Sequence, residues 1–218
     1  VKHEGFVVGW QGAKQHVKDL AIIYNPVLRF MLKHSDVQFH LWGPGGILDF
    51  PDALAPRIFT YPWTPSVWQH YMRLDMDIGL APLDMGETFN LTKSDIRLRE
   101  YAALGVPFIA TDGDTYRSTG LAARGLLVNT ESEWEDALEL LYSNSHRRDW
   151  MREQGRLRAR LWTTEGNAKE WAAAYERAIY ARNLHRNAAG NGSPSPGKKV
   201  FQRPDGDRPV ENVGTEIL

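Results

Sequence analysis

The sequence predicts an α/β protein: a doubly wound parallel sheet of Rossmann-like type, with C-terminal helices and a disordered tail. Three observations carry this prediction. Short apolar strands alternate six times with helical patterns, three loops that follow strands are rich in Gly and polar groups, and the apolar periodicity stops near Ala188. The expected division is a domain with its helices over 1–187 and a low-complexity tail over 188–218, where Gly, Asn, Ser, Pro and charge dominate. With 218 residues, 42% of them hydrophobic, and eight tryptophans, the chain has enough apolar surface for one full core.

Gly5-Phe6-Val7-Val8-Gly9-Trp10 is the first strand, and Gln11 to His16 the polar loop after it. Leu20, Tyr24, Val27, Leu28 and Met31 then recur at helical spacing, with Pro26 predicting a kink or restart capped by Asn25. Val37 to Trp42 alternates as a second strand and runs into the turn Gly43-Pro44-Gly45-Gly46. Arg57 to Tyr61 is the third strand. Thr64-Pro65 reads as the start of a helix that carries Val67, Trp68, Tyr71 and Leu74 inward. Asp77 to Pro82 is the fourth strand and Phe108-Ile109-Ala110 the fifth. After a turn at Asp112-Gly113-Asp114 and a small helix, Gly125 to Val128 is the sixth. Glu133 to Tyr142 is a helix with Trp134, Ala137, Leu138 and Leu141 on its apolar side. His146 to Trp162 and Glu165 to Leu184 are two more.

Charge and composition narrow the function classes. Basic and acidic residues nearly balance (26 against 27), so a general polyanion partner such as nucleic acid is not expected. There is no cysteine, which removes disulfides and thiolate chemistry. No apolar run approaches the ~18–20 residues a membrane span needs, and no secretory signal is visible, so the expectation is a soluble, cytoplasmic chain. Val1 stands a few residues before the first strand, which suggests part of a longer sequence.

The stretch from Phe89 to Thr111 concentrates the chemistry. It reads as loop, helix, Gly stop and strand, with Thr92 capping the helix and Gly105 and Pro107 ending it. Lys93, Arg97 and Glu100 then share one side of the helix, Ile96 and Ala103 flank them, and Leu98 with Ala102 makes a second apolar contact. Free N–H groups at a helix start, together with Lys93, suit an anion such as a phosphate, and Glu100 lies deeper, where a ribose diol can donate to it. The same charges also fit a surface helix with internal ion pairs. In open parallel sheets ligands bind outside the C-terminal strand ends, which places the loops after Trp10, Trp42 and Pro82 at one edge.

These residues resemble a known family. Gly9-Trp10-Gln11-Gly12-Ala13-Lys14-Gln15-His16 with Asp19-Leu20 resembles the first loop of the C-terminal domain of GT-B glycosyltransferases, closest to the retaining family 4 enzymes. Phe39 to Gly43 resembles their second strand and Gly turn, Asp77 to Leu83 the strand before the donor loop, and Phe89 to Pro107 the donor loop and helix. The similarity covers roughly Gly5 to Leu161 in order and spacing.

The resemblance implies the donor-binding half of a retaining glycosyltransferase that takes a nucleotide-diphosphate sugar, with no cofactor and no metal. It implies catalytic roles for Lys93 and Glu100. Lys93 and the N–H groups of Ser94 and Asp95 would hold the diphosphate, Glu100 would accept from the ribose, and Arg97 would lie beside the phosphates or pair with Glu100. It further implies Gly9 and Gly12 where backbone approaches the ligand, His16 over the sugar or phosphate, and Gly43 with Tyr61-Pro62-Trp63 near the base. The chain departs from the pattern at Thr92, where many relatives carry Glu, and at Ala13, where Ser is common. The acceptor half that precedes the donor half in that fold has no counterpart in these residues, which implies an N-terminal acceptor-binding domain or a partner subunit. A non-catalytic nucleotide-sugar-binding or assembly module is the alternative, and a two-domain sugar epimerase a third reading.

Other groups are weighed against plainer roles. Asp75-Met76-Asp77 and Asp112-Gly113-Asp114 match a metal-binding D-x-D, but one begins a strand and the other is a turn. The histidines show no zinc spacing, and His40 reads as packed on its strand. Arg148, Arg152 and Arg156 share a helix face, read as a solvated face in preference to a nucleic-acid surface. Trp134, Trp150, Trp162 and Trp171 recur on the C-terminal helices, as ordinary packing or as a brace for a partner domain.

Overall fold

The structure, a computed structural model, describes residues 4–13, 16–43, 48–62 and 64–188. The expectations for Lys14-Gln15, Pro44-Gly45-Gly46, Trp63 and the tail beyond Ala188 lie outside these residues. The chain divides into two compact units, Val1–Ala168 and Lys169–Leu218.

The first unit is built on six parallel strands: β1 (Phe6–Gln11), β2 (Val37–Trp42), β3 (Ile58–Tyr61), β4 (Ile78–Ala81), β5 (Phe108–Thr111) and β6 (Leu126–Val128). Their order in the sheet is β3-β2-β1-β4-β5-β6, and every neighbouring pair is parallel. Strand order therefore reverses between β1 and β4, which opens a crevice at the carboxyl ends of those two strands. The helices are α1 (Val17–Lys33), α2 (Val67–Met72), α3 (Thr88–Leu91), α4 (Ile96–Leu104), α5 (Asp114–Ala122), α6 (Glu131–Ser143), α7 (Ser145–Ala159) and α8 (Thr164–Ala188). The doubly wound α/β class and the C-terminal helices are as the alternation predicts.

Side-chain alternation along β1 explains why both faces are covered. Phe6, Val8 and Trp10 point into a layer formed with Leu20, Ile23, Val27, Phe30 and Met31 of α1 and Trp134, Leu138 and Leu141 of α6. Val7 points the other way, into a layer with Leu98, Tyr101 and Ala102 of α4 and with Phe108 and Tyr116. Full burial of a Leu, Ile or Phe is worth about 1.5–3 kcal/mol, so these two layers hold the sheet between its helices.

Several local expectations are corrected. α1 continues through Pro26, with no restart, and Asn25 donates its side-chain amide to Glu131 of α6 at 2.9 Å instead of capping. Pro26 costs α1 one internal hydrogen bond, and the buried stripe on both sides of it compensates. Thr64-Pro65 lies ahead of α2, which Ser66 caps by accepting from the Gln69 N–H at 3.3 Å. Val67 and Trp68 point to solvent, at 64% and 73% exposure, while Leu74 is buried. Thr92 closes α3 and does not open α4: its hydroxyl donates to the Phe89 carbonyl, and Asp95 occupies the cap position of α4. Ile96 is exposed, and Leu98 with Tyr101 and Ala102 makes the buried contact. α4 stops at Gly105, whose φ of 70° is the left-handed conformation that favours glycine.

The arginines of α7 turn toward the domain. Arg148 donates to the carbonyls of Leu141 and Tyr142 at the end of α6, Arg152 pairs with Asp77 at 3.4 Å, and Arg156 donates to the Leu104 carbonyl at 3.2 Å. Arg148 and Arg156 close helix ends and Arg152 pairs with a carboxylate; Arg148 and Arg152 are half-buried, and Arg156 keeps the exposure expected of a solvated face.

Candidate functional site

A cleft of about 350 Å³ opens at the β1–β4 crossover, at the carboxyl edge of the sheet. Its wall is made by the end of β1 with the residues after it (Gln11, Gly12, Ala13), the end of β2 (Trp42, Gly43), α2 with the residues before it, Lys93, Ser94, Ile96, Arg97 and Glu100, and Tyr116. Of the residues singled out from sequence, Gly12, His16, Gly43, Lys93, Ser94, Arg97 and Glu100 all line it. Gly9 does not: it lies buried within β1, where an added Cβ would meet the Trp42 ring at 2.7 Å and the Met76 sulfur at 2.8 Å. Gly43 has a φ of 151°, and a Cβ there would stand 2.1 Å from the Gly12 carbonyl oxygen, so this junction between two loops admits only glycine. The Gly12 N–H donates to the Trp42 carbonyl at 3.0 Å, which fastens the two loops together. Trp42 stacks on Tyr61 with ring centres 5.0 Å apart.

Lys93 stands in the turn between α3 and α4. Its ammonium lies 3.1 Å from His16 Nδ1 and 3.5 Å from Asp19, and 5.1 Å from the centre of the Phe89 ring. Asp19 is almost wholly buried and is held from four sides. It accepts from the Asp84 N–H at 3.0 Å and the Asn90 amide at 2.9 Å, with His16 at 3.1 Å and Lys93 on its other oxygen. Burial raises its pKa, but these hydrogen bonds and the Lys93 charge outweigh that and hold it at about 2. The His16 nitrogen faces both Lys93 and Asp19, so it accepts from the ammonium when bare and donates to the carboxylate when protonated.

Arg97 differs from Lys93. The residue is 7% exposed, its guanidinium lies over the Trp10 ring at 5.7 Å, and among the described residues its Nη1 has no hydrogen-bond partner. Among the described residues no ion pair joins it to Glu100. A buried guanidinium without a counter-ion is costly, and it sits in the first turn of α4, where unpaired N–H groups add positive potential.

Glu100, one turn deeper, is gripped by two donors. Gln11 donates its amide to Oε2 at 3.0 Å, and the Tyr71 hydroxyl donates to Oε1. Because a carboxylate only accepts, the Gln11 amide must turn its NH₂ to Glu100 and its oxygen to His70, whose Nε2–H donates at 2.7 Å. Burial lowers the pKa of His70 against the pull of Glu100, and burial with the Glu100 bond raises that of Tyr71, so the imidazole is neutral and the phenol protonated near pH 7.

The sequence pattern assigns no site role to Gln11, Asp19, His70 or Tyr116, and reads Tyr71 only as an inward-packing residue. Gln11 and Asp19 fall inside the stretches that carry the resemblance, which was an available signal. His70 and Tyr71 reach the cleft only because α2, which follows the edge strand β3, returns to the end of β1, where His70 meets Gln11 and Tyr71 meets Glu100. The remaining candidates have other partners: Asp77 accepts from the Val7 N–H at 3.0 Å, and Asp112 and Asp114 both pair with Arg117. Among the described residues no acidic or histidine cluster is arranged to hold a metal ion, and no helix is long and apolar enough to cross a membrane.

No family model matches the sequence, and no curated protein sequence matches it. Solved structures do. The C-terminal domain of a glycosyl transferase group 1 family protein (LpcC) from Francisella tularensis aligns with a TM-score of 0.53 at 18% identity, over 70% of this chain and 83% of that one. The pneumococcal O-GlcNAc transferase GtfA, solved with UDP and GlcNAc, aligns with a TM-score of 0.61 at 15% identity, over 82% of this chain and 37% of that one. The UDP-GlcNAc 2-epimerase from Neisseria meningitidis, bound to UDP-GlcNAc, aligns with a TM-score of 0.50 at 15% identity, over 80% and 44%. The chain thus carries a GT-B-like, Rossmann-type fold. It spans less than half the length of the two full enzymes.

Proposed function

We propose that this chain is the donor-binding half of a glycosyltransferase that uses a nucleotide-diphosphate sugar and transfers the sugar with retention. The observation that carries the reading is Arg97, a buried guanidinium lacking a partner on Nη1, in the same cleft wall as Lys93 and the start of α4. A diphosphate supplies the charge and acceptors that this wall lacks. In the proposal Lys93, Arg97 and the Ser94 region hold the diphosphate, Glu100 accepts from the ribose hydroxyls, and the base lies toward Trp42 and Gly43.

Catalysis then consists of stabilising the departing diphosphate while an acceptor attacks from the same face, a task for positioned charge that requires no protein nucleophile and no metal. The acceptor would be held by an N-terminal domain or a partner subunit, and the reaction would run in the cytoplasm. Calorimetric titration with UDP, GDP and ADP tests the reading. One of them should bind, and Lys93→Ala should weaken it by about 10-fold or more, the usual loss for a charge-assisted contact. Absence of binding by all three at millimolar concentration removes the donor site, and an undiminished affinity in Lys93→Ala removes that residue's phosphate role.

A second reading, a module that binds a nucleotide sugar without turning it over, is favoured by the pairing of Lys93 with Asp19, which neutralises part of the charge a leaving diphosphate needs. Donor turnover with a candidate acceptor-domain partner separates the two.

A further inference from the structure

We propose that Gln11, His70 and Tyr71 are positioning residues that fix the Glu100 carboxylate so that the cleft selects a ribonucleotide over its deoxy counterparts. The inference rests on the reading of Glu100 as the acceptor for a ribose diol. A glutamate has three rotatable bonds, and ordering it takes side-chain entropy out of the binding affinity if nothing holds it beforehand. Here the cost is met before any ligand arrives. Gln11 from the end of β1 donates to one carboxylate oxygen, and Tyr71 from α2 to the other. Two donors from different elements fix both the position and the plane of the carboxylate.

The direction of each bond is determined. Glu100 sets the amide orientation of Gln11, and Gln11 sets the tautomer of His70, which must carry its proton on Nε2. Among the described residues, each carboxylate oxygen keeps a free lone pair after Gln11 and Tyr71 have taken one. Two acceptors on one rigid plane match two vicinal hydroxyls. α2 itself has no buried residue, so its polar bonds to Gln11 and Glu100 tie it to the cleft. A ligand without the hydroxyls leaves the carboxylate's lone pairs without donors in a half-buried site, the situation in which a missing hydroxyl is rejected most strongly.

The test compares UDP, GDP and ADP with their 2′,3′-dideoxy counterparts by calorimetry on the full chain. The parent should prefer the ribonucleotide by about 10-fold or more. Tyr71→Phe and Gln11→Leu should each bring that ratio to within about threefold of unity. General loosening of the cleft weakens both ligands equally and leaves the ratio unchanged, so the ratio reads positioning and not foldedness. Glu100→Gln should abolish the preference, and Tyr71→Phe should add nothing in that background. If Glu100→Gln abolishes the preference while Tyr71→Phe and Gln11→Leu keep it, the positioning role is overturned and Glu100 stands alone. If the parent shows no preference, or binds none of the three, Glu100 is not a ribose acceptor and the proposal falls with that reading.

Discussion

Lys93 and Arg97 bring positive charge to the cleft in opposite states of satisfaction. Lys93 is braced by His16 and Asp19, whereas Arg97 is buried with Nη1 unpartnered. In the proposed diphosphate site such a residue lowers the stability of the free protein and is satisfied by the ligand. Arg97→Met should therefore leave the melting temperature unchanged or raise it, while weakening nucleoside-diphosphate binding by about 10-fold or more, measured by thermal unfolding and calorimetry on the same sample. A large loss of stability would show that the guanidinium is structural. Asp19 supports the opposite arrangement. Its folded pKa of about 2 lies below the ordinary 3.8, so its contribution is fully present above pH 3.8 and is lost as pH falls through 2. With allowance for nearby solvent this is about 1–2 kcal/mol. The gap in melting temperature between the parent and Asp19→Asn should accordingly be widest near neutral pH and shrink between pH 4 and 2. A gap that stays constant over that range would remove the electrostatic account.

At the scale of elements, the chain's periodicities foretold which helices exist better than where they begin. Trp134, Ala137, Leu138 and Leu141 all lie on the buried side of α6, because four apolar residues at helical spacing can be satisfied in only one way against a sheet. Thr92 and Thr64 both resembled caps, yet neither caps a helix. Asn90 is drawn into the Asp19 cluster, which winds Thr88–Leu91 into its own short helix and leaves Thr92 at that helix's end. Arg148 of α7 departs from a solvated face for a related reason: spacing shows which residues share a face and says nothing of the carbonyls opposite. Arg148 donates to two carbonyls at the end of α6 and lies 5.0 Å from the Phe6 ring centre. Arg148→Ala should cost about 1–3 kcal/mol, a fall of several degrees in melting temperature, with the nucleotide affinity of the folded protein unchanged. An unaltered melting temperature would return α7 to the role of a solvated face.

For the whole molecule, the sheet order determines where the cleft opens and what the proposed ligand would do to stability. The cleft is assembled from the ends of β1 and β2, from α2, and from the start of α4, so a ligand in it joins segments far apart in the chain. Ligand bound to the folded state alone should stabilise it by about 2.7 kcal/mol at one hundred times its dissociation constant. For a protein of this size that is an increase of about 5–10 °C in melting temperature with the nucleotide that binds, and none with a nucleoside lacking phosphates at the same concentration. Equal shifts with both would place recognition on the base and not on the phosphate wall.

The sequence by itself determined the alternation of strands and helices, the parallel doubly wound class, and the edge at which Gly12, Gly43 and Lys93 to Glu100 gather. Those properties follow from local spacing, since burial on two faces imposes apolar strands and striped helices. Tertiary structure alone decided the company of each site residue. Asp19 under Lys93, Gln11 and Tyr71 on Glu100, and the missing partner of Arg97 are contacts between residues up to 89 positions apart. Their energies depend on burial and on which donor meets which acceptor, and neither exists until the sheet has brought its strand ends together.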